Sequence, residues 1–168
     1  MTIPNVFFKN GSWTGEIELD LWNDFYENNF LLELIVGGES DVKEIEYRHM
    51  AAFEYLISNQ KVVLEQILSE LLIRYPAMQE EYGYEDDEID EYMPNVSSIL
   101  EFKELLIPKR IFILDIENDG ISYVGFQFTC SWDEEHDFGV MLHKNRIVAM
   151  GGSDNAFLSW IAEKDKKL

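Results

Sequence analysis

The sequence predicts one α+β domain over residues 1–168, in which strands from the N-terminal and C-terminal parts build an antiparallel sheet. Apolar and polar residues alternate with period two near both ends of the chain, whereas the middle repeats apolar residues with a helical period. Asn-Gly and Asn-Asp-Gly turn signals separate neighbouring strand-like runs. We therefore expect two central helices and one C-terminal helix, all packed on one face of the sheet.

Strands are predicted within residues 5–37. The segment NVFFKNGSWTGEIELDLW forms two strand-like runs around the turn at Lys9-Asn10-Gly11-Ser12. The second run has one apolar and one acidic face, since three apolar residues alternate with acids: Ile17, Leu19 and Leu21. A third apolar run, residues 30–36, ends at two glycines and extends the same sheet.

Helices are predicted within residues 41–82, where apolar residues recur every three or four positions. The first helix runs from about Asp41 to Ile57 and the second begins near Asn59. Pro76 is expected to break or kink the second helix, because proline lacks the backbone N–H that a helix interior needs.

The next segment, residues 83–95, is predicted to be an acidic linker. Residues 80–91, EEYGYEDDEIDE, contain eight acids and no base, which is typical of a solvated, mobile connection. They lack the alternating acids, glycine and distal glutamate of a calcium-binding loop.

Further strands are predicted within residues 109–150, joined by turns at Asn118-Asp119-Gly120 and Lys144-Asn145. As these strands follow one another closely, we expect antiparallel neighbours. A final helix is predicted over residues 154–164, with Trp160 on its apolar side. Core packing is also expected for Trp13 and Trp22.

Composition excludes several classes of protein. The net charge of −20, from 33 acids and 13 bases, opposes direct binding to nucleic acid and favours a basic protein partner. No apolar run reaches the roughly 20 residues of a membrane-spanning helix, and the start of the chain lacks the profile of a secretory signal. The lone cysteine, Cys130, has no partner for a disulfide. These features predict a cytoplasmic protein of undetermined oligomeric state.

The candidate binding residues lie in two acidic segments. SWDEEHDFGV, residues 131–140, connects two predicted strands, and its aromatic and charged side chains are typical of a recognition turn. The same role is expected for three acids of the linker. The candidate binding residues are Trp132, Asp133, Glu134, Glu135, His136, Asp86, Asp87 and Glu88.

A divalent metal site is the alternative interpretation of the turn. It requires His136 and His143 to converge, with Asp133 or Glu135 adding an oxygen ligand, and it would make the protein a metal-binding domain or a metal-dependent hydrolase. A structural, charged hairpin turn is the third interpretation. No catalytic residue is assigned: Cys130 is expected to be a small buried side chain, and His49 a hydrogen-bonded core histidine.

Residues 119–162 resemble a bacterial family of unknown function that carries a DG-x-x-Y-x-G-F-x-F-x-C-x-WDEEHGLGV segment, followed by a histidine, a basic strand end and a GG-x-[AD] turn. The matching residues are Asp119, Gly120, Tyr123, Gly125, Phe126, Phe128, Cys130, residues 132–136, Gly139, Val140, His143, Arg146, Gly151 and Gly152. The helical stretch at residues 51–76 is also similar, so the resemblance covers about the last two-thirds of the chain. Asp137 and Phe138 depart from the Gly-Leu of the pattern, which puts in question any backbone conformation that needs glycine at Asp137.

The resemblance implies a small stand-alone cytoplasmic protein with no assigned reaction, associated with immunity proteins that neutralise bacterial toxins. Many toxins that attack nucleic acid are basic, and an acidic inhibitor associates with them faster. The leading hypothesis is therefore a non-enzymatic, immunity-like interaction protein that binds a basic protein such as a toxin.

Overall fold

The computed structural model describes residues 1–168 and contains one seven-stranded sheet whose spatial order follows the chain, from β1 at one edge to β7 at the other. The predicted α+β class with strands from both ends of the chain is confirmed. The strands are β1 (Val6–Lys9), β2 (Ser12–Ile17), β3 (Leu32–Gly37), β4 (Leu106–Asn118), β5 (Ile121–Cys130), β6 (Phe138–His143) and β7 (Arg146–Gly152).

One pair of strands is parallel. All other neighbours are antiparallel, but β3 and β4 run in the same direction, with Leu34 beside Ile111 and Val36 beside Ile113. A parallel pair needs a long crossover connection, and the central helical region supplies it between Gly37 and Leu106. The expectation of a wholly antiparallel sheet was therefore wrong at this one pair.

A helix that the sequence analysis missed follows β2. The strand ends at Ile17, and the residues predicted to continue it belong instead to the helix α1 (Asp20–Tyr26). Leu21, expected on an apolar strand face, is 48% exposed, whereas Trp22 is buried and donates its indole N–H to the carbonyl of Gln60 at 2.8 Å. Buried positions spaced three and four apart, rather than two, are what distinguish this helix from a strand.

The first central helix begins later than predicted, the second ends at the predicted boundary, and a short helix follows in the predicted linker. They are α2 (Tyr47–Ser58), α3 (Gln60–Tyr82) and α4 (Asp87–Tyr92), followed by a 3₁₀ helix at Ile99–Glu104. Pro76 lies inside α3, yet the helix continues to Tyr82 and ends at Gly83, whose φ of 63° is the left-handed conformation common at helix ends. Helix α4 therefore occupies six residues of the predicted acidic linker. None of the helices combines the length and apolarity needed to cross a membrane.

Helices cover both faces of the sheet. A cluster of 31 buried residues lies between one face and the helices α1 to α3, and a second cluster of seven lies on the opposite face. The alternation along β4 explains this arrangement: Ile111 and Ile113 belong to the first cluster, Phe112 and Leu114 to the second. The prediction that all helices share one face was wrong. Both faces of the central strands are apolar, and each is buried by helices.

The C-terminal segment provides the cover for the second face. It consists of a 3₁₀ turn (Ser153–Ala156) and the helix α5 (Ser159–Lys166). The turn lies directly on the sheet at Gly125 and Gly139, where a Cβ atom would come within 1.5 Å and 2.6 Å of backbone oxygens. Trp160, expected to pack in the core, is 59% exposed, because Ile161 and Ala162 form the buried side of α5.

Candidate interaction surface

The turn between β5 and β6, residues 131–137, is held from inside by Trp132. The indole is only 1% exposed and packs edge-on against Tyr75 and Phe138, with ring centroids at 5.8 Å and 5.7 Å. Trp132 was predicted as a binding residue, but burial prevents its side chain from contacting a partner. The aromatic contacts instead fix the position of the acids that follow it.

The exposed part of this turn is Glu134, Glu135 and His136. The His136 side chain is 73% exposed, and its Nδ1 lies 2.8 Å from the Asp133 carboxylate. The hydrogen bond and the charge of Asp133 raise the pKa of His136. Below that pKa the imidazolium partly neutralises the turn, so the turn is most acidic when His136 is neutral.

The last residue of the turn, Asp137, has the left-handed conformation that glycine adopts most easily, with φ at 59°. The departure from the family pattern therefore falls at a position where a glycine-like conformation is present. Its carboxylate accepts hydrogen bonds from Lys109 Nζ at 2.9 Å and Gln127 Nε2 at 3.0 Å. Aspartate tolerates this conformation better than most residues, and these contacts compensate for its strain.

His143 lies away from the turn, at the opposite end of β6. It is 7% exposed, and its Nε2 lies 2.8 Å from the carbonyl of Asn118 and 3.2 Å from that of Ile121. The structure therefore does not bring His136 and His143 together, and no group of three His, Cys, Asp or Glu residues is arranged to hold a metal ion. The proposed ligand set of Asp133, Glu135, His136 and His143 does not converge.

The acidic linker, by contrast, packs against the turn. The Tyr84 hydroxyl donates to the carbonyl of Trp132 at 2.6 Å, and the Ser131 hydroxyl donates to the carbonyl of Tyr92 at 2.8 Å. The Tyr82 hydroxyl also donates to the Asp133 carboxylate at 3.3 Å. Asp86, Asp87 and Glu88, which lie between these anchor points, therefore share one surface with residues 133–136 although about 45 residues separate them in sequence.

Three tyrosines, which the sequence analysis did not select, join the two acidic segments. The rings of Tyr82 and Tyr84 are nearly parallel, with centroids 6.2 Å apart, and Tyr92 lies 5.4 Å from Tyr84. Burial and the carboxylates of Asp133 and Glu88 are among the causes that raise the pKa of Tyr84, so its hydroxyl remains a donor at neutral pH. The sequence did contain a sign that this segment is packed rather than mobile: three tyrosines occur among the acids of residues 80–92, whereas a solvated linker has few aromatic residues.

The carboxylates of this surface are not neutralised within the protein. We define the acidic surface by its exposed acids: Glu85, Asp86, Asp87, Glu88, Glu91, Glu134 and Glu135. None of these acids takes part in an ion pair. No lysine or arginine occurs in residues 75–102 or 111–143, the stretches that contribute these acids. The acidic surface is therefore suited to attracting cations or cationic side chains.

Cys130 and His49, the two other candidate reactive side chains, are both buried and have structural rather than catalytic surroundings. Cys130 is buried, and its burial raises the pKa of its thiol to about 12, so the nucleophilic thiolate is not formed near neutral pH. His49 is fully buried, as predicted: its Nδ1 accepts the backbone N–H of Glu46 at 3.0 Å and its Nε2 lies 3.0 Å from the Asp115 carboxylate.

Comparison with known proteins identifies a family but no reaction. No curated protein and no solved structure matches the chain. A family model described as a domain of unknown function, DUF6985, matches residues 9–158, which include the whole sheet from β2 to β7 and both segments of the acidic surface. The predicted resemblance to a family of unknown function is confirmed at that level. The chain belongs to the DUF6985 family.

Proposed function

We propose that this protein is a non-enzymatic interaction protein that binds a basic protein partner through the acidic surface. The observation that carries the proposal is the position of the two base-free segments, which lie side by side and are joined by Tyr82 and Tyr84. The resemblance described above suggests the biological setting of an immunity protein, and a basic toxin as the partner.

Charge supports this function. The protein has a net charge of −20, and the acids that define the acidic surface form no ion pair; the nearby Lys109 and His136 pair with Asp137 and Asp133 instead. Such a field accelerates encounter with a basic protein by long-range attraction, and the effect declines as salt screens it.

Anchoring of the backbone also supports this function. The Trp132 ring fixes the turn from the core, and Tyr84 fixes the acidic linker to the turn. Carboxylates on an anchored backbone lose less conformational entropy when they bind than carboxylates on a mobile linker. Tyrosines within the surface add an aromatic contact of the kind enriched in binding hot spots.

The alternative function of a metal-dependent hydrolase receives no support from geometry. His143 is bonded to backbone carbonyls at the far end of β6, and His136 is bonded only to Asp133. We therefore favour no second function.

The test compares two variants with the same change in net charge. In the first, Asp86, Asp87 and Glu88 become lysine; in the second, three exposed and unpaired acids elsewhere become lysine: Asp41, Glu44 and Glu54. Both variants and the wild type are used to capture proteins from the native host, and captured proteins are identified and assayed by surface plasmon resonance. We expect a basic protein whose association with the first variant is slowed at least about tenfold at low salt, with a flatter salt dependence.

The second variant should associate nearly as fast as the wild type, because its substitutions lie outside the acidic surface. Replacing Glu134 and Glu135 with lysine should slow association as the first variant does, since both segments face the same partner. Equal binding of all variants, or a partner that is itself acidic, would show that the acidic surface is not the binding site.

A further inference from the structure

The strand β1 is the uncovered edge of the sheet. The other edge strand, β7, contacts α3, α5 and the 3₁₀ turn at Ser153–Ala156, whereas the main neighbour of β1 is β2, and Ile3 bonds the N–H of Val6 at the start of the strand. An edge strand with free backbone N–H and C=O groups is a template for pairing with another strand. Natural edges are usually protected by charged side chains in the strand, but the centre of β1 is Phe7 and Phe8.

Both phenylalanines are exposed, Phe7 by 70% and Phe8 by 54%. Successive residues of a strand point to opposite faces, so one ring lies on each side of the sheet. Phe7 shares its face with Glu16, Leu31 and Glu33 around an open cleft. Two adjacent exposed aromatic residues on a free edge favour burial by a further strand.

The register of the β1–β2 hairpin shows which groups are free. Phe7 pairs with Thr14 and Lys9 with Ser12 across the two-residue turn, and the N–H of Glu16 donates to the carbonyl of Asn5 at 3.4 Å. The odd-numbered residues of β1 therefore bond to β2, while Val6 and Phe8 direct their backbone groups to the open edge. The N–H of Val6 already donates to the carbonyl of Ile3 at 3.2 Å, so the free groups are the carbonyl of Val6 and the N–H and carbonyl of Phe8.

We propose that β1 pairs antiparallel with β1 of a second copy of this chain, with Phe7 facing Phe7 across the two-fold axis. In this register the N–H of Phe8 donates to the carbonyl of Val6 in the second copy, and the reciprocal bond forms by symmetry. The two seven-stranded sheets become one continuous sheet, and the Phe7 rings contact each other as a cross-strand aromatic pair. This proposal is independent of the proposed function, because the acidic surface does not include β1.

Charge complementarity is the reason for choosing a second copy as the occupant. Lys9 lies on the same face as Phe7 and Glu16, and neither Lys9 nor Glu16 forms an ion pair within the protein. The register places Lys9 opposite Asn5 of the second copy, one strand from Glu16 of that copy. Two strand spacings, about 10 Å between Cα atoms, are within reach of a lysine and a glutamate side chain, and the pair occurs twice.

The first experiment traps the pair by oxidation. Facing residues of a non-hydrogen-bonded antiparallel pair have Cα atoms about 4.5 Å apart, which suits a disulfide. We expect the Phe7→Cys variant to form a covalent dimer on mild oxidation, visible on a non-reducing gel. Leu31→Cys is the control: it is 60% exposed on the same face but away from the edge, and should remain monomeric. The native Cys130 is buried and does not compete.

The second experiment exchanges the charges. Sedimentation equilibrium of the wild type at about 10–500 µM should show a monomer–dimer equilibrium, as a small interface implies weak affinity. Lys9→Glu or Glu16→Lys alone should weaken dimerisation about tenfold, because each creates two like-charge contacts, and the double variant should recover it. Lys167→Glu, an exposed substitution away from β1, should leave it unchanged.

A wild type that stays monomeric throughout this range, together with equal crosslinking of the two cysteine variants, would overturn the proposal. A dimer that is insensitive to both single charge reversals would also overturn it, since another surface would then form the interface. All variants alter exposed side chains, so circular dichroism should show an unchanged fold.

Discussion

Trp132 shows how one buried side chain determines what an exposed turn presents. With the indole packed against Tyr75 and Phe138, the next residues emerge at the surface and Asp133 meets His136. The sequence identified the turn and its acids correctly, but it offered no way to tell whether the tryptophan faced a partner or the core. That outcome depends on Tyr75, more than 50 residues away in sequence.

The conformation of Asp137 leads to a prediction about stability. Asp137→Ala should lower the free energy of unfolding by about 1–3 kcal/mol, because alanine adopts φ near 59° poorly and cannot bond Lys109 or Gln127. Asp137→Gly loses the same bonds without the strain and should be about 1 kcal/mol more stable than the alanine variant. Urea unfolding followed by tryptophan fluorescence measures both, and equal stabilities would contradict the role of backbone strain.

His49 leads to a prediction about pH. Burial lowers the pKa of His49 below its usual value, so the unfolded chain binds more protons than the folded protein at pH values below about 6.5. The stability that neutral His49 contributes is therefore present above that pH and is lost as the pH falls towards the folded pKa. His49→Gln should lower the free energy of unfolding at pH 7.5 by about 1–3 kcal/mol and make its decline towards pH 5.5 shallower.

The matched control is His136→Gln, since His136 is exposed and its pair with Asp133 is solvated. This variant should leave the free energy of unfolding at pH 7.5 nearly unchanged. Unfolding curves at several pH values separate the two histidines, and parallel profiles for wild type and His49→Gln would contradict the assignment.

At the scale of elements, the contact between the C-terminal segment and the sheet depends on the absence of side chains. Gly125 and Gly139 allow the backbone of the turn Ser153–Ala156 to lie directly on β5 and β6. The helix α5 is held against the sheet by Asp165. Its carboxylate accepts hydrogen bonds from the Tyr123 hydroxyl and from both terminal nitrogens of Arg146. Four of the residues that match the family pattern, Tyr123, Gly125, Gly139 and Arg146, thus have structural roles in one contact.

Alanine at either close glycine should disrupt this contact. Gly125→Ala and Gly139→Ala should each lower the free energy of unfolding by about 3 kcal/mol or more, because the added methyl overlaps backbone atoms that cannot move without displacing α5. Gly152→Ala is the control, since no atom lies within 4 Å of its Cβ position and its φ of −60° suits alanine. Chemical denaturation gives all three values; a Gly125→Ala variant as stable as Gly152→Ala would contradict the close approach.

The prediction of elements succeeded where local pattern and tertiary context agreed. The strands with flanking turns and the two long helices were predicted near their observed positions, because their periods of two and 3.6 are clear in the sequence, although α2 begins at Tyr47 rather than near Asp41. Helix α1 was missed because its first residues continue the alternation of β2. The parallel pair β3–β4 was missed because strand direction depends on how far the chain travels between Gly37 and Leu106, which local pattern does not encode.

At the scale of the molecule, acidic residues greatly outnumber basic ones, and ion pairs neutralise the acids in some regions but not in others. Ion pairs tie several elements together, such as Arg48 with Asp115 and Arg110 with Glu33, whereas the acidic surface has none. Repulsion among unpaired carboxylates is a cost to folding that binding of a basic partner would relieve.

This repulsion predicts that salt stabilises the fold. Raising NaCl from about 20 mM to 300 mM should increase the melting temperature by about 2–4 °C, because screening weakens repulsion among exposed acids more than it weakens the few ion pairs. The Asp86, Asp87 and Glu88 to lysine variant should show a smaller increase. Differential scanning calorimetry measures both; a melting temperature that falls with salt would mean that surface ion pairs dominate.

The sequence by itself determined the α+β class, most strand positions, the acidity and the two acidic segments, because these depend on period and composition. Only the tertiary structure decided that the two segments form one surface, that His136 and His143 lie at opposite ends of β6, and that Trp132 faces the core. Each of these facts depends on contacts between residues distant in sequence. Their geometry is determined by strand register and by packing of the whole core, which no local pattern records.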